Sequence, residues 1–336
     1  MSFSRPHVVM SSVARKVGRV FYYARNVARD CAPQLIFRRR LPGILQSAAR
    51  YDAAYLAHRV NYYNRLSAPV ELGDSTTSIG GLPMGKSAYY YDLKEHARYF
   101  PRHFRMNYFF GDRIRVQDRA TLIKARLIGG DNRNSVLMKL GKFRHFYFPP
   151  DRTPFKDKKA VAVWRGSAHK PSRRELLRAY HQHPLCDVGH TDRSTTVGRK
   201  PFLSTLEQMQ YRFVISLEGN DVATNLKWIL ASNCLCFMPK PSREIWFMEG
   251  QLEAGRHYVE LRPDFADLED RIQYYTRHVE EALAIIRNAN EYVVQFLDEP
   301  RERLISLLVL YKYFVVTGQL DPDPGVVKLI QAKKGS

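Results

Sequence analysis

The stretch Tyr211–Pro239, YRFVISLEGNDVATNLKWILASNCLCFMP, decides the fold class. Apolar residues run from Tyr211 to Leu217, and a glycine-containing loop follows at Glu218-Gly219-Asn220-Asp221. An amphipathic run then reaches Leu230, and a second apolar run ends at Pro239. This order predicts a strand, a helix and a parallel strand, hence an α/β fold. The loop then lies at the carboxyl end of the first strand, where open α/β sheets bind ligands. A helix beginning near Thr224 and Asn225 would aim free backbone N–H groups and the positive end of its dipole at that loop. Such an end suits a phosphate or diphosphate, so the expectation is a nucleotide or nucleotide-sugar site.

Outward from this unit the chain alternates in the same way. Strands are expected at Arg105–Phe110, Ala120–Ile128, Ala160–Trp164 and His257–Leu261. Helices are expected near 172–181, 267–278, 279–297 and 301–317. The first 66 residues read as mostly helical with a break at Leu41-Pro42-Gly43. A Gly- and Ser-rich loop follows at Gly73–Gly85, and Pro149, Pro150 and Pro154 punctuate a linker. These boundaries divide the chain into a basic helical segment (1–66), a first α/β domain (67–150, with part of 1–66), a second α/β domain carrying the expected nucleotide or nucleotide-sugar site (155–320) and a tail (321–336).

With 336 residues, 45% apolar and 12% aromatic, the chain is globular and long enough for two domains. No apolar run is long enough to span a bilayer, because Ser306 and Lys312 interrupt the stretch Leu304–Val316. The start lacks a secretory pattern, so a cytoplasmic location is expected. Cys31, Cys186, Cys234 and Cys236 form no metal-type pairs and are expected to be reduced and mostly buried.

The formal net charge is +20, and residues 1–66 hold twelve Lys or Arg against Asp30 and Asp52, half of that excess. On a helical wheel Val13, Val17, Val20, Phe21, Ala24, Val27 and Ala28 share one face. Arg15, Arg19, Arg25 and Arg29 lie opposite, with Lys16 at the edge. A helix lying on an anionic bilayer has this design. A surface helix packed on its own domain has it too. Nucleic acid is a third reading without a recognisable binding motif behind it.

Five short motifs occur in a telling order: Trp164-Arg165-Gly166-Ser167, Leu217-Glu218-Gly219-Asn220, Asn225-Leu226-Lys227-Trp228, Met238-Pro239-Lys240-Pro241 and Gly255-x-His257-Tyr258-Val259. In these the chain resembles glycosyltransferase family 90, closest to its bacterial lipopolysaccharide members, from about Asn107 to Gly318. The resemblance implies a GT-B fold, two Rossmann-like domains facing a cleft, here preceded by the basic helical N-terminal extension. It also implies inverting transfer from a UDP-sugar with no required metal or other cofactor. The family's catalytic base is an aspartate ending an N-terminal-domain strand, and Asp112 in Tyr108-Phe109-Phe110-Gly111-Asp112 is the matching position, with Asp131 next. The base takes the proton of the acceptor hydroxyl as that hydroxyl attacks the anomeric carbon.

On the donor side the resemblance points to Arg165, Gly166, Ser167, Arg173, Gly219, Asn220, Thr224, Asn225 and Lys227. Arg173, with Arg174 adjacent, matches the nucleotide-binding arginine and would meet the diphosphate. Animal members have arginine at the positions of Glu218 and Asn225. Here the backbone N–H groups of Gly219–Thr224 would take over, with Lys227 facing either sheet or phosphate, and Arg165 could instead hold its loop. Trp246 and Glu249 are candidates for base or sugar contact, although packing suits the tryptophan better. Tyr89, Tyr90 and Tyr91 could stack on sugar rings. Asp321-Pro-Asp323 is discounted as a metal motif because it follows no strand, and His181, His183 and His190 lack zinc spacing.

The resulting expectation is a transferase moving a sugar from a UDP-sugar to a lipopolysaccharide-core or related glycolipid acceptor, peripheral to the cytoplasmic face of the inner membrane. No nucleic-acid partner is expected. The alternatives are another nucleotide-dependent transferase and a non-catalytic protein binding anionic membranes or nucleic acid. The absence of a GxxxxGK[ST] loop counts against the commonest version of the first.

Overall fold

The computed structural model describes residues 12–85, 88–112, 114–192 and 197–332, with the side chains of 12–17 outside the description. Val13, Arg15, Lys16 and Val17 of the expected amphipathic helix therefore lie outside the described side chains. In chain order the elements are α1 (Ser12–Cys31), α2 (Gln34–Gln46), α3 (Ala53–Tyr63), β1 (Thr77–Ser78), α4 (Ala88–Ala97), β2 (Arg105–Phe109), β3 (Thr121–Ile123), β4 (Arg126–Leu127) and β5 (Ser135–Leu137). They continue as α5 (Lys142–His145), β6 (Lys159–Gly166), α6 (Pro171–Tyr180), β7 (Cys186–His190), α7 (Thr205–Gln208), β8 (Tyr211–Ile215), α8 (Leu226–Leu230) and β9 (Leu235–Met238). Last come β10 (Arg243–Glu244), β11 (Val259–Glu260), α9 (Leu268–Arg277), α10 (Val279–Val294), α11 (Glu299–Val316) and α12 (Pro324–Gln331).

These elements form two compact units. One comprises 144–242 and 248–295; the other comprises 12–143, 243–247 and 296–332. The first is built on a five-stranded, all-parallel sheet in the order β11-β9-β8-β6-β7. Every residue of β9 is buried, as a strand covered on both faces requires. Trp164, Phe213, Ile215, Leu235 and Phe237 meet Leu176 and Leu177 of α6, Ile272 of α9 and Ile285 and Ile286 of α10 in one core.

The expected strand-helix-strand unit is present as β8-α8-β9, but its helix is only five residues long. Asn225, the residue at its N-cap, does not cap it. The Asn225 side chain turns back to the end of β8, where Nδ2 donates to the Ile215 carbonyl (3.0 Å) and Oδ1 accepts from Ser216 Oγ (3.1 Å). Residues 216–225 form the connection, and α8 begins at Leu226, close to the expected start near Thr224 and Asn225.

The second unit has a sheet in the order β1-β2-β3-β5, parallel except at β1, and a separate β10-β4 ladder. The stretch expected as one strand over 120–128 breaks into β3 and β4, since β3 pairs with β2 and β5 while β4 pairs with β10. α11 and α12 belong to this unit, which corrects the grouping of 155–320 into one domain and of 321–336 into a tail. The cause is tertiary. Glu302 of α11 is buried where Arg59 Nη2 (2.7 Å), Lys139 Nζ (3.1 Å) and Trp246 Nε1 (2.6 Å) donate to it. Asp323, from the discounted acidic pair, caps α12 by accepting from the Val326 N–H (3.0 Å). Trp246 is fully buried and stacked on Tyr63 at 3.8 Å, so it serves packing.

The break expected at Leu41-Pro42-Gly43 is also absent, and α2 runs through Pro42 to Gln46. The carbonyl of Arg38 loses its helical partner there, but the segment is exposed and water can replace it. The actual break falls at Pro33, between α1 and α2. No helix among the described residues is long and apolar enough to cross a membrane.

Candidate functional site

In the five-stranded sheet β6 and β8 are neighbours, while their successors β7 and β9 lie on opposite sides of the pair. Between β6 and β8 the strand order therefore reverses, and ligands of open sheets bind at the carboxyl ends of such a pair. Gly166 ends β6 and Ser167 follows it, and Leu217-Glu218-Gly219 follow β8. Arg173, in the first turn of α6, joins these two ends. Its Nη1 donates to the Ser167 carbonyl (3.1 Å), Nη2 to the Leu217 carbonyl (2.9 Å) and Nε to the Glu218 carbonyl (3.2 Å). Burial lowers its pKa, with Asp192 opposing, and a guanidinium stays charged. The hydrogen-bond partners are all neutral oxygens, so a half-buried positive charge sits at the switch point without a bonded carboxylate. Both glycines permit close approach: a Cβ on Gly219 would lie 3.2 Å from Arg173 Nη2, and one on Gly166 would lie 2.8 Å from Trp164 Cζ2.

The other donor-side candidates divide. Ser167 Oγ is 3.1 Å from His169 Nδ1, and the neighbouring Ala168 N–H donates to Asp192 (2.7 Å). Asn220 is exposed and Thr224 half-buried in the connection after β8. Glu218 is tied to the turn after β9, accepting from the Ser242 N–H (2.9 Å) and hydroxyl (2.5 Å). Arg165 holds its loop: Nη2 donates to Asp187 Oδ1 (2.8 Å), Nη1 to the Asp187 carbonyl (2.6 Å) and Nε to the Pro201 carbonyl (3.0 Å). Lys227 is fully buried and faces Glu249, itself buried, whose Oε1 accepts from Nζ at 2.5 Å. Lys227 and Glu249 thus act on one another inside the unit, and Asn225 is committed to the end of β8. No group of three or more His, Cys, Asp or Glu that could hold a metal ion occurs among the described residues.

In the other unit Asp112 lies just past β2. Its Oδ1 accepts from Tyr89 Oη (2.6 Å) and from Lys124 Nζ (2.8 Å). Lys124 has no exposed side-chain surface, whereas 28% of that of Asp112 is exposed. Burial pushes the Tyr89 hydroxyl above its ordinary value, with Lys124 opposing, so it remains a donor. The carboxylate is thus oriented from beneath by a buried cation and a phenol and reaches solvent. Asp131 is different: 63% exposed, it pairs with the equally open Arg133 (2.9 Å). Of the tyrosine triplet only Tyr89 is at this site. Tyr90 and Tyr91 are buried, the former donating to Asp30 (3.1 Å) and the latter edge-on to Tyr23. The sequence reading missed Tyr89 and Lys124 as partners of Asp112. A lone lysine beside the apolar run Thr121–Ile123 was the available signal, since a buried lysine requires a partner.

The mixed α/β architecture with parallel sheets is compatible with a Rossmann-like glycosyltransferase fold. Residues 148–311 match the profile described as glycosyl transferase family 90. The O-glucosyltransferase LpsA of Dichelobacter nodosus is 47% identical over 291 residues, 86% of this chain and 89% of that protein. Human protein O-glucosyltransferase 3 is 22% identical over 160 residues, 45% of this chain and 31% of that protein. Rat protein O-glucosyltransferase 1 is 20% identical over 153 residues, 43% and 39% respectively. The chain belongs to glycosyltransferase family 90.

Proposed function

We propose that the protein is an inverting glycosyltransferase of GT-B arrangement that moves a sugar from a UDP-sugar to a hydroxyl of a lipopolysaccharide-core or related glycolipid acceptor. Asp112 is the general base. The observation that carries this reading is the carboxylate at the end of β2, oriented through one oxygen by Tyr89 and the buried Lys124, in a chain sharing 47% identity with an O-glucosyltransferase. Asp112 takes the hydroxyl proton as the acceptor oxygen attacks the anomeric carbon, and the UDP leaves from the opposite face. Arg173 stabilises the charge growing on the diphosphate, with Gly166, Ser167, Gly219, Asn220 and Thr224 lining the approach. Arg165, Asn225 and Lys227 support these loops from behind. No metal is required in this scheme, and the enzyme works peripherally at the cytoplasmic face of the inner membrane. The relatives' names make glucose the first donor to assay.

Asp112→Asn tests the reading. The amide is nearly isosteric and cannot accept the proton, so transfer should fall by about a hundredfold or more while folding and UDP binding persist. Near-normal turnover would exclude Asp112 as the base. A thermal shift specific to UDP would separate a nucleotide-sugar enzyme from a non-catalytic membrane or nucleic-acid binder.

A further inference from the structure

α1 is seated on α4 by its aromatic and polar edge. Tyr22 Oη donates to Asp92 Oδ1 (2.6 Å), Arg29 Nη1 to Glu95 (2.9 Å), and Asp30 accepts from Arg98 (2.9 Å) and Tyr90 (3.1 Å). Tyr23 packs on Tyr91 and Asn26 is buried. α2 rests on the turn after α4, where Phe37 meets Tyr99 edge-on at 5.6 Å and Gln34 donates to the Phe100 carbonyl.

The face left outward is the apolar one. Val20 is 69% exposed, Phe21 66% and Val27 49%, and on α2 Leu35 is 52% and Ile36 44% exposed. These five are among only thirteen large hydrophobic side chains exposed among the described residues, yet they fall within 20–36. Single exposed apolar residues are ordinary, but a helix that buries its polar edge and presents its apolar stripe reverses the pattern of a packed surface helix. The same two helices carry exposed cations. Arg19, Arg38, Arg39 and Arg40 are exposed, and the one carboxylate of these two helices, Asp30, is turned inward.

We propose that the outward faces of α1 and α2 form a docking surface for anionic lipid bilayers. Phe21, Val20, Val27, Leu35 and Ile36 enter the boundary between headgroups and acyl chains, and the flanking arginines take lipid phosphates. The apolar side chains among the cations favour a bilayer over the polar backbone of a nucleic acid. The proposal rests on the membrane-peripheral placement above and says which surface does the binding. It also reverses the simplest picture of the helix, because its inner edge is structural, so truncation of α1 would confuse docking with folding.

The experiment uses the full chain carrying either Val20→Ser, Phe21→Ser and Val27→Ser together, or Arg38→Gln, Arg39→Gln and Arg40→Gln together. Sedimentation is measured with vesicles of phosphatidylglycerol and phosphatidylethanolamine and with neutral phosphatidylcholine vesicles. Each triple variant should bind the anionic vesicles about tenfold or more weakly, the wild type should prefer anionic over neutral vesicles, and added salt should weaken it. Circular dichroism and transfer to a short soluble acceptor should be unchanged. Undiminished vesicle binding by both variants overturns the proposal. So does a wild-type dimer in lipid-free solution that the apolar variant converts to monomer, since a second copy would then cover the surface. A wild type that binds vesicles but transfers from no UDP-sugar would sink the proposed activity and leave this surface standing.

Discussion

Arg173 bonds three carbonyls and no carboxylate, and this decides what its loss should do. In the proposed function its charge meets the diphosphate, so Arg173→Ala should weaken UDP far more than uridine, by about ten- to a hundredfold for one charge-assisted hydrogen bond. Equal losses, read by calorimetry with both ligands, would mean the arginine only ties the ends of β6 and β8. Lys227 behaves otherwise. Breaking a buried ion pair by removing one member is strongly destabilising, so Lys227→Met should destabilise the fold by about 3–5 kcal/mol. Adding Glu249→Gln should restore much of that in denaturant titrations. A Lys227→Met protein of normal stability that fails to bind UDP would instead make the lysine a ligand. From the sequence, Arg173 and Lys227 looked like the same kind of residue. The difference is that Glu249 lies 22 positions from Lys227 and meets it only after β9 and the following loop are in place.

From Leu304 to Val316 α11 is apolar apart from Ser306 and Lys312. Lys312 Nζ donates to Asn61 Oδ1 and to the Asn64 carbonyl (both 2.7 Å), neutral partners that do not cancel the charge. Burial lowers its pKa from 10.5 to about 8. Between those values the unfolded chain holds more protons than the folded one, so this group raises stability as pH rises through that window. Below about pH 8 the cost of the buried charge is fully present. Relative to Lys312→Met, the wild type should therefore gain melting temperature from pH 7.5 to pH 10. A difference that stays flat over this range would mean the ammonium is as well solvated folded as unfolded. The helix itself was legible from its composition, and so was β8, whose apolar run has no competing helical period. Its partner was not legible, because an apolar face fits any apolar surface until Glu302 is matched to Arg59 and Lys139.

At the scale of the whole molecule, the three buried thiols report on how cooperatively the unit built on the five-stranded sheet unfolds, with exposed Cys31 as the internal reference. Burial pushes Cys186 up to about 12, Cys234 up to about 11 and Cys236 higher still, while Cys31 is exposed on α1. Buried, protonated thiols are inert. Iodoacetamide at pH 8 should label one cysteine per native chain and all four in denaturant, with the buried three following unfolding. Rapid labelling of two or more in the native protein would reveal local opening around β7 or β9.

The sequence by itself determined the parallel strand-helix-strand unit, the loop at the carboxyl end of β8, the motifs of the family and the basic character of the first 66 residues. These are local: periodicity, glycine position and charge order depend on neighbours within a few turns of chain. Only the tertiary structure decided that Asn225 turns back on β8 and leaves a five-residue helix. Likewise, it decided that Lys227 meets Glu249, that Lys124 and Tyr89 orient Asp112, and that α1 packs by its polar edge. Each of these is a buried polar or charged group finding its partner. Burying it unpaired costs so much that the fold arranges long-range contacts around it, and no local pattern reveals which group that partner will be.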